Sequence, residues 1–305
     1  MKTTKAIAVI SLCMLCLSWF GGQLLRADVQ TKQDILHPQG LLWKIERPSQ
    51  SPSYLFATMH VNHPRVVNLP PPVEQAFRDS RQFVMEMLLT FQAVGLVSRA
   101  SFFSDGRTLD NVMQEENYRR LLAVLQQRLQ IGESAIRHMK PWAVFSLLMM
   151  PVEQGSAAAL DMQLYRRAIQ AQKSVAGLET AQEQVDVFDQ MSIADQLWLL
   201  NQAVSEIEQT DALFPEMLEA YVQGDLAALV QIQQQMMSAE SDIDDRLMHR
   251  LLTARNQRMA QRMLPYLQQG EAFIAIGALH LPGQDGVLQL LQQQGYSVAP
   301  VDIRR

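Results

Sequence analysis

Phe273-Ile274-Ala275-Ile276-Gly277-Ala278-Leu279-His280 is an apolar run that ends at a small residue and reaches a histidine three positions later. Tyr54-Leu55-Phe56-Ala57-Thr58-Met59-His60 repeats the pattern far upstream, and a proline-containing loop and helical spacing follow each copy. A short continuous apolar run bounded by turn residues predicts a strand. Open α/β sheets collect ligands at the carboxyl ends of such strands. Both imidazoles are therefore expected there. The small residue before each lets backbone or ligand approach closely.

Working outward, Leu41-Leu42-Trp43-Lys44-Ile45-Glu46 reads as a strand, Arg47 to Ser53 as a turn, and Tyr54 to Thr58 as the returning arm of a hairpin. Behind Pro70-Pro71-Pro72, the spacing of Val73, Ala76 and Phe77 predicts a helix that proline is suited to start. Gln82-Phe83-Val84-Met85-Glu86-Met87 reads as a buried strand. From about 91 to 172, and again over 180–269, apolar residues recur at three- and four-residue spacings. Ser174-Val175-Ala176-Gly177-Leu178 between them is a short strand candidate. A helix over Asp285–Gln294 and a strand over Tyr296–Val301 close the chain. Strands thus cluster at the two ends. The expected class is mixed α/β (α+β), with one central sheet covered by helices and a large, mostly helical insert over about 90–260.

The chain has 305 residues, 48% of them apolar, which is enough for a substantial core. With 26 basic and 31 acidic residues the net charge is −5, which argues against a nucleic-acid binder. Neither glycine-rich nucleotide signature occurs. Two cysteines exclude a disulfide scaffold and a cysteine-based zinc site.

Lys2 and Lys5 precede an apolar run from Ala6 to Phe20, and Leu25-Arg26-Ala27 ends it with a small residue. This predicts a signal peptide over 1–27, cut after Ala27, and a domain over 28–305 in the periplasm or outside the cell. The competing reading is an uncleaved anchor, and membrane contact is expected only through that segment. Cleavage removes Cys13 and Cys16, which suits an oxidising compartment. Removing Lys2, Lys5 and Arg26 leaves 23 basic against 31 acidic residues, a net charge of −8.

Glu86 lies inside an apolar strand, where an unpartnered carboxylate costs several kcal/mol. A metal, an arginine or a protonated histidine offsets that cost. Two histidines and one carboxylate suit a catalytic divalent metal, which activates water and polarises a carbonyl. The same residues permit a metal-free hydrolase in which histidine is the base. A structural ion pair is the plainer alternative for Glu86. Glu179, after the strand candidate, is either a helix-start carboxylate or a site acid. Arg255, next to Asn256 in a helical run, either snorkels to the surface or reaches into the crevice to hold a carboxylate or oxyanion. Asp161 reads as a helix cap. His63 reads as an exposed loop residue, and His37, His138 and His249 have no pattern around them.

Taken together, these residues resemble the TraB/GumN family, which is related to the Tiki-type metalloproteases and to erythromycin-esterase-like hydrolases. The resemblance rests on Leu42-Trp43-Lys44-Ile45, the two His motifs, Glu86, Lys140-Pro141-Trp142-Ala143, Leu160-Asp161, Gly177-Leu178-Glu179-Thr180, Arg255-Asn256, and Leu281-Pro282-Gly283. It implies a core built from two similar halves, each contributing a Gly-x-x-His. In the Tiki branch it implies divalent-metal-dependent proteolysis using both histidines and a glutamate. Ala57 departs from the glycine usual in the first motif. If that position needed a positive φ, alanine would be strained.

The expectation is an exported hydrolase of peptides or other carbonyl substrates. His60, His280 and Glu86 would hold a divalent metal, Arg255 would steady the substrate or oxyanion, and Glu179 would support them. A binding protein that captures a peptide or small molecule in the same crevice is the alternative of a different class. A metal-free esterase is the third. The sequence leaves the oligomeric state open.

Overall fold

The computed structural model describes residues 35–150, 158–235 and 242–303. The expected leader, residues 1–27, lies outside the described residues.

Six strands form one mixed sheet: β1 (Leu42–Glu46), β2 (Ser53–Thr58), β3 (Gln82–Met87), β4 (Ser174–Glu179), β5 (Ala272–Gly277) and β6 (Ser297–Val301), in the order β4-β3-β5-β2-β1-β6. β4, β3, β5 and β2 run parallel, while β1 pairs antiparallel with both β2 and β6. β3 and β5 are buried at every position because they lie at the centre and carry helices on both faces. That accounts for their continuous apolar sequences. The hairpin turns through Ser49, which takes a positive φ of 66°.

The register sorts the side chains. Phe83 pairs with Phe273 and Tyr54 with Phe273, so these rings share one face, where Phe77 of α1 (Pro71–Asp79) packs edge-on against Phe83 and Phe273. Val84, Glu86, Ile274 and Ile276 alternate to the other face. There the helix Ala254–Gln269 packs against β4 and β5.

The expected helical insert is interrupted. Ser174–Glu179 joins the main sheet as its edge strand beside β3, because Val175 and Ala176 find ladder partners in Phe83 and Val84. The intervening helices include α2 (Phe91–Ala100), α3 (Glu115–Leu129), α4 (Pro141–Leu148), α5 (Leu160–Gln170) and α6 (Ala181–Asp189). They continue with the 30-residue α7 (Ile193–Val222), α8 (Leu226–Gln235) and α9 (Asp242–Met248), before α10 (Ala254–Gln269) and α11 (Val287–Gln293). α7 packs on α4 and α3, and α8 packs against the turn after β5. Among the described residues no helix is long and apolar enough to cross a membrane.

Candidate functional site

β2 and β5 are neighbours in parallel register, with Thr58 opposite Gly277, so both motifs end at the same edge of the sheet. After Thr58 the chain leaves the ladder and reaches His60. After Gly277 a single 3-10 turn, Ala278–His280, carries His280 to the same place. Glu86 enters from β3 on the other side of β5. Its Oε1 lies 3.9 Å from His60 Nε2 and 3.7 Å from His280 Nε2. All three side chains are buried.

Each imidazole is oriented through its other nitrogen. His60 Nδ1 donates to Asp161 Oδ2 at 2.6 Å, and Thr58 Oγ1 donates to Asp161 Oδ1 at 2.7 Å. His280 Nδ1 donates to Asn256 Oδ1 at 2.5 Å. Asn256 Nδ2 donates to the Asp285 carbonyl, which fixes the amide so that its oxygen faces the ring. Both rings therefore carry hydrogen on Nδ1 and turn Nε2 towards Glu86. His280 Nε2 has no hydrogen-bond partner among the described residues.

The two supports differ in charge. Burial lowers the pKa of His60, but the Asp161 carboxylate, aided by Glu86, more than reverses this and raises it above the ordinary value. His280 has a neutral amide in place of that carboxylate. Burial, with Arg255 and His60 adding to it against Glu86, lowers its pKa to about 3, so its ring is neutral at physiological pH.

Glu86 is ionised. Burial acts to raise its pKa, yet Arg255, the two histidines and the Gly277 N–H bring it down to about 2. Arg255 Nη2 donates to Glu86 Oε2 at 2.6 Å, and the Gly277 amide donates to Oε1 at 2.7 Å. The guanidinium also grips Glu179 through Nε at 2.9 Å and Nη2 at 2.7 Å, behind Glu86. Arg255 is 1% exposed. It fixes and neutralises two buried carboxylates rather than snorkelling to the surface. Burial disfavours its charge, but Glu86 and Glu179 raise its pKa further above the arginine range. Glu179 is the last residue of β4, and the cap of the next helix is Thr180. The helix-start alternative for Glu179 thus gives way to an ion pair with Arg255.

The structure corrects two sequence readings. Asp161 is not the cap of α5. Ala159 occupies that position, and the Asp161 carboxylate turns instead to Thr58 and His60. Asn256, which carried no role in the sequence, holds His280. A π-turn over His249–Thr253 immediately precedes this pair. Such turns rephase a helix, and here Arg255 and Asn256, adjacent in sequence, are both buried. The only sequence signal for Asn256 was its position beside an arginine in an apolar helical run. His63, read as an exposed loop residue, caps the short helix Pro64–Val67 by accepting from the Arg65 amide.

The motif's small residues act through size. Gly277 has φ of −55°, and Ala57 is not among the residues with positive φ, so alanine is unstrained there. A Cβ on Gly277 would lie 3.2 Å from Glu86 Oε1 and 3.5 Å from His60 Nε2. Ala57 stands one register step away, opposite Ile276.

The donor chemistry suits a divalent ion. Two imidazole nitrogens and one carboxylate oxygen converge beside a backbone with no side chain, and the neutral His280 leaves its Nε2 without a hydrogen-bond partner. In the arrangement as it stands, no group of three His, Cys, Asp or Glu among the described residues is ready to hold a metal.

A family model described as TraB/PrgY/gumN matches residues 41–300. The chain is 25% identical over 319 aligned positions to a protein named Metalloprotease TIKI2 from Xenopus tropicalis, covering 84% of this chain and 59% of that protein. It is 26% identical to Metalloprotease TIKI2 of Danio rerio, covering 84% and 60%. With Metalloprotease TIKI1 of Homo sapiens the identity is 24%, covering 93% and 67%. The chain thus spans about 60% of the length of the first two relatives. No solved structure matches it.

Proposed function

The chain belongs to the TraB/PrgY/gumN family, and from that premise we propose that it is an exported hydrolase of peptide or related carbonyl bonds, working with a divalent metal held by His60, His280 and Glu86. The observation that carries this reading is the approach of both Nε2 atoms to within 4 Å of Glu86 Oε1. Three acceptors facing one another in a buried space repel unless a cation or a proton lies between them. The likeness to proteins named metalloproteases supports the same reaction class.

Bound there, the ion would supply Lewis-acid polarisation of the carbonyl and a water of lowered pKa. The chain's own residues do the rest. Asp161 and Asn256 keep hydrogen on the Nδ1 atoms, so both Nε2 atoms remain donors to the ion. Arg255 holds Glu86 ionised and fixes its rotamer, and Glu179 anchors Arg255 in turn. Burial of the centre excludes bulk water, which strengthens each of these interactions. In this reading Arg255 holds Glu86 and Glu179 rather than an oxyanion, because Nε and Nη2 are committed to carboxylates and Nη1 faces the Leu251 carbonyl at 3.4 Å.

A second reading, a metal-free hydrolase with His60 as base, is favoured by one observation: Asp161 behind His60 is a carboxylate–imidazole arrangement of the kind that raises basicity. Purified exported protein separates the two readings. Stoichiometric metal, lost in the His280→Ala protein together with chelator-sensitive peptide hydrolysis, supports the metal enzyme. Hydrolysis indifferent to chelators supports the second reading, and peptide binding without turnover supports a binding protein. The N-terminal residue of the exported form tests cleavage after Ala27.

A further inference from the structure

A cavity of about 30 Å³ opens directly against the centre, lined by Thr58, Met59, His60, Gly277, Ala278 and Leu279 from the strand ends. The ends of two helices close it, with Met217 and Tyr221 from α7 and Leu229 and Gln233 from α8. His60 and Gly277, both part of the centre, are also part of its wall, so whatever enters it lies beside the reacting atoms. Met59, Met217, Leu229, Ala278 and Leu279 make the wall apolar. The Tyr221 hydroxyl is committed to the Ala57 carbonyl at 2.9 Å, which leaves its ring to the cavity. The Gln233 amide is the remaining polar group contributed by the helices, and its nitrogen lies 3.3 Å from Met248 Sδ. No charged side chain of Lys, Arg, Asp or Glu lines the space.

We propose that this cavity receives the side chain of the residue adjoining the hydrolysed bond, and that Met217, Leu229 and Gln233 restrict that residue to a small uncharged one: glycine, alanine or serine. The proposal rests on the hydrolase reading for the word "hydrolysed", but the cavity's selectivity is measurable without turnover. Space for only about two or three waters accommodates a methyl or hydroxymethyl group with ease and rejects a long or aromatic chain. A basic chain entering beside His60 would lose its hydration without gaining a partner. A pocket wall discriminates about tenfold or more per methylene, so truncating the wall shifts preference by at least that factor.

The test uses the full exported chain carrying His280→Ala, so that peptides are retained uncut, and a random decapeptide library whose retained members are sequenced. The parent is expected to enrich Gly, Ala and Ser at one position. Adding Met217→Ala is expected to shift that position towards Leu and Met by at least tenfold. Adding Gln233→Glu, at a half-buried position, is expected to bring in Lys and Arg. Profiles unchanged by both substitutions, or no retained peptide at all, overturn the proposal. The unmutated protein is then given the same peptides. Cleavage beside the selected position supports both ideas. A shifted profile without cleavage supports the cavity's role in recognition and refutes hydrolysis.

Discussion

Replacing Arg255 by methionine in metal-free protein tests the buried ion-pair network. The guanidinium sits between two carboxylates, with Arg255 and Glu86 side chains 1% exposed and that of Glu179 fully buried. Methionine fills much of the same volume, so the cavity left is small and the loss is electrostatic. Removing one partner of a buried pair costs about 3–5 kcal/mol, because the remaining charge is stranded away from water. Glu86 keeps the Gly277 amide, and Glu179 keeps Gln184 Nε2 at 3.3 Å and Arg258 Nε at 3.8 Å, so the lower end of that range applies. Natural domains have only about 5–15 kcal/mol in total, so the variant should lose a large share of its stability at neutral pH. Neutralising one acid as well, in Arg255→Met with Glu179→Gln, should recover roughly half the loss, since Glu86 still has the Gly277 amide. Urea unfolding followed by circular dichroism at pH 7.5 gives both numbers by linear extrapolation. Arg255→Met within about 1 kcal/mol of the parent, or a double variant no better than the single, would refute the network as described. If Arg255→Met does not fold, the double variant and Glu179→Gln alone still report the ordering.

Gly277→Ala should fold, because φ of −55° accepts a side chain, but its Cβ presses on Glu86 Oε1. A loss of about 1–3 kcal/mol in stability is expected, with weaker divalent-ion binding measured by calorimetry; wild-type values for both would contradict the size argument. Asn256→Leu should release the His280 tautomer and weaken divalent-ion binding by about 10–100-fold, while urea stability changes far less than for Arg255→Met. Glu206 provides a pH test remote from the site. Burial, then Asp244, raises its pKa to about 7 in the folded state. Its contribution to stability is therefore full below its unfolded value near 4.5 and is lost as pH rises through 7. After discounting for its partial exposure, Glu206→Gln should gain on the order of 1 kcal/mol over the parent at pH 8 and almost nothing at pH 4.5; equal stabilities at both would contradict the shift.

The sequence by itself determined the strands, the pairing of two His motifs at their ends, and the class of fold. Each of these follows from local order: continuous apolar runs mark strands, and a small residue three places before a histidine marks where a strand hands over to a site. Glu86 was legible for the same reason, as a carboxylate inside such a run. Arg255 and Glu179 were legible only as alternatives, and the supports of the two histidines were not legible at all. Asp161 looked like a helix cap and Asn256 carried no role of its own, because a polar residue near a helix start or in a helix is ordinary until its partner is known. Their partners are 101 and 24 residues away. Only the tertiary structure, by setting β5 between β2 and β3 and turning α10 inward through a π-turn, decided that one histidine meets a carboxylate and the other an amide. It likewise decided that Arg255 faces two acids instead of solvent. Long-range electrostatics depends on distances that strand order creates, and no spacing along the chain encodes them.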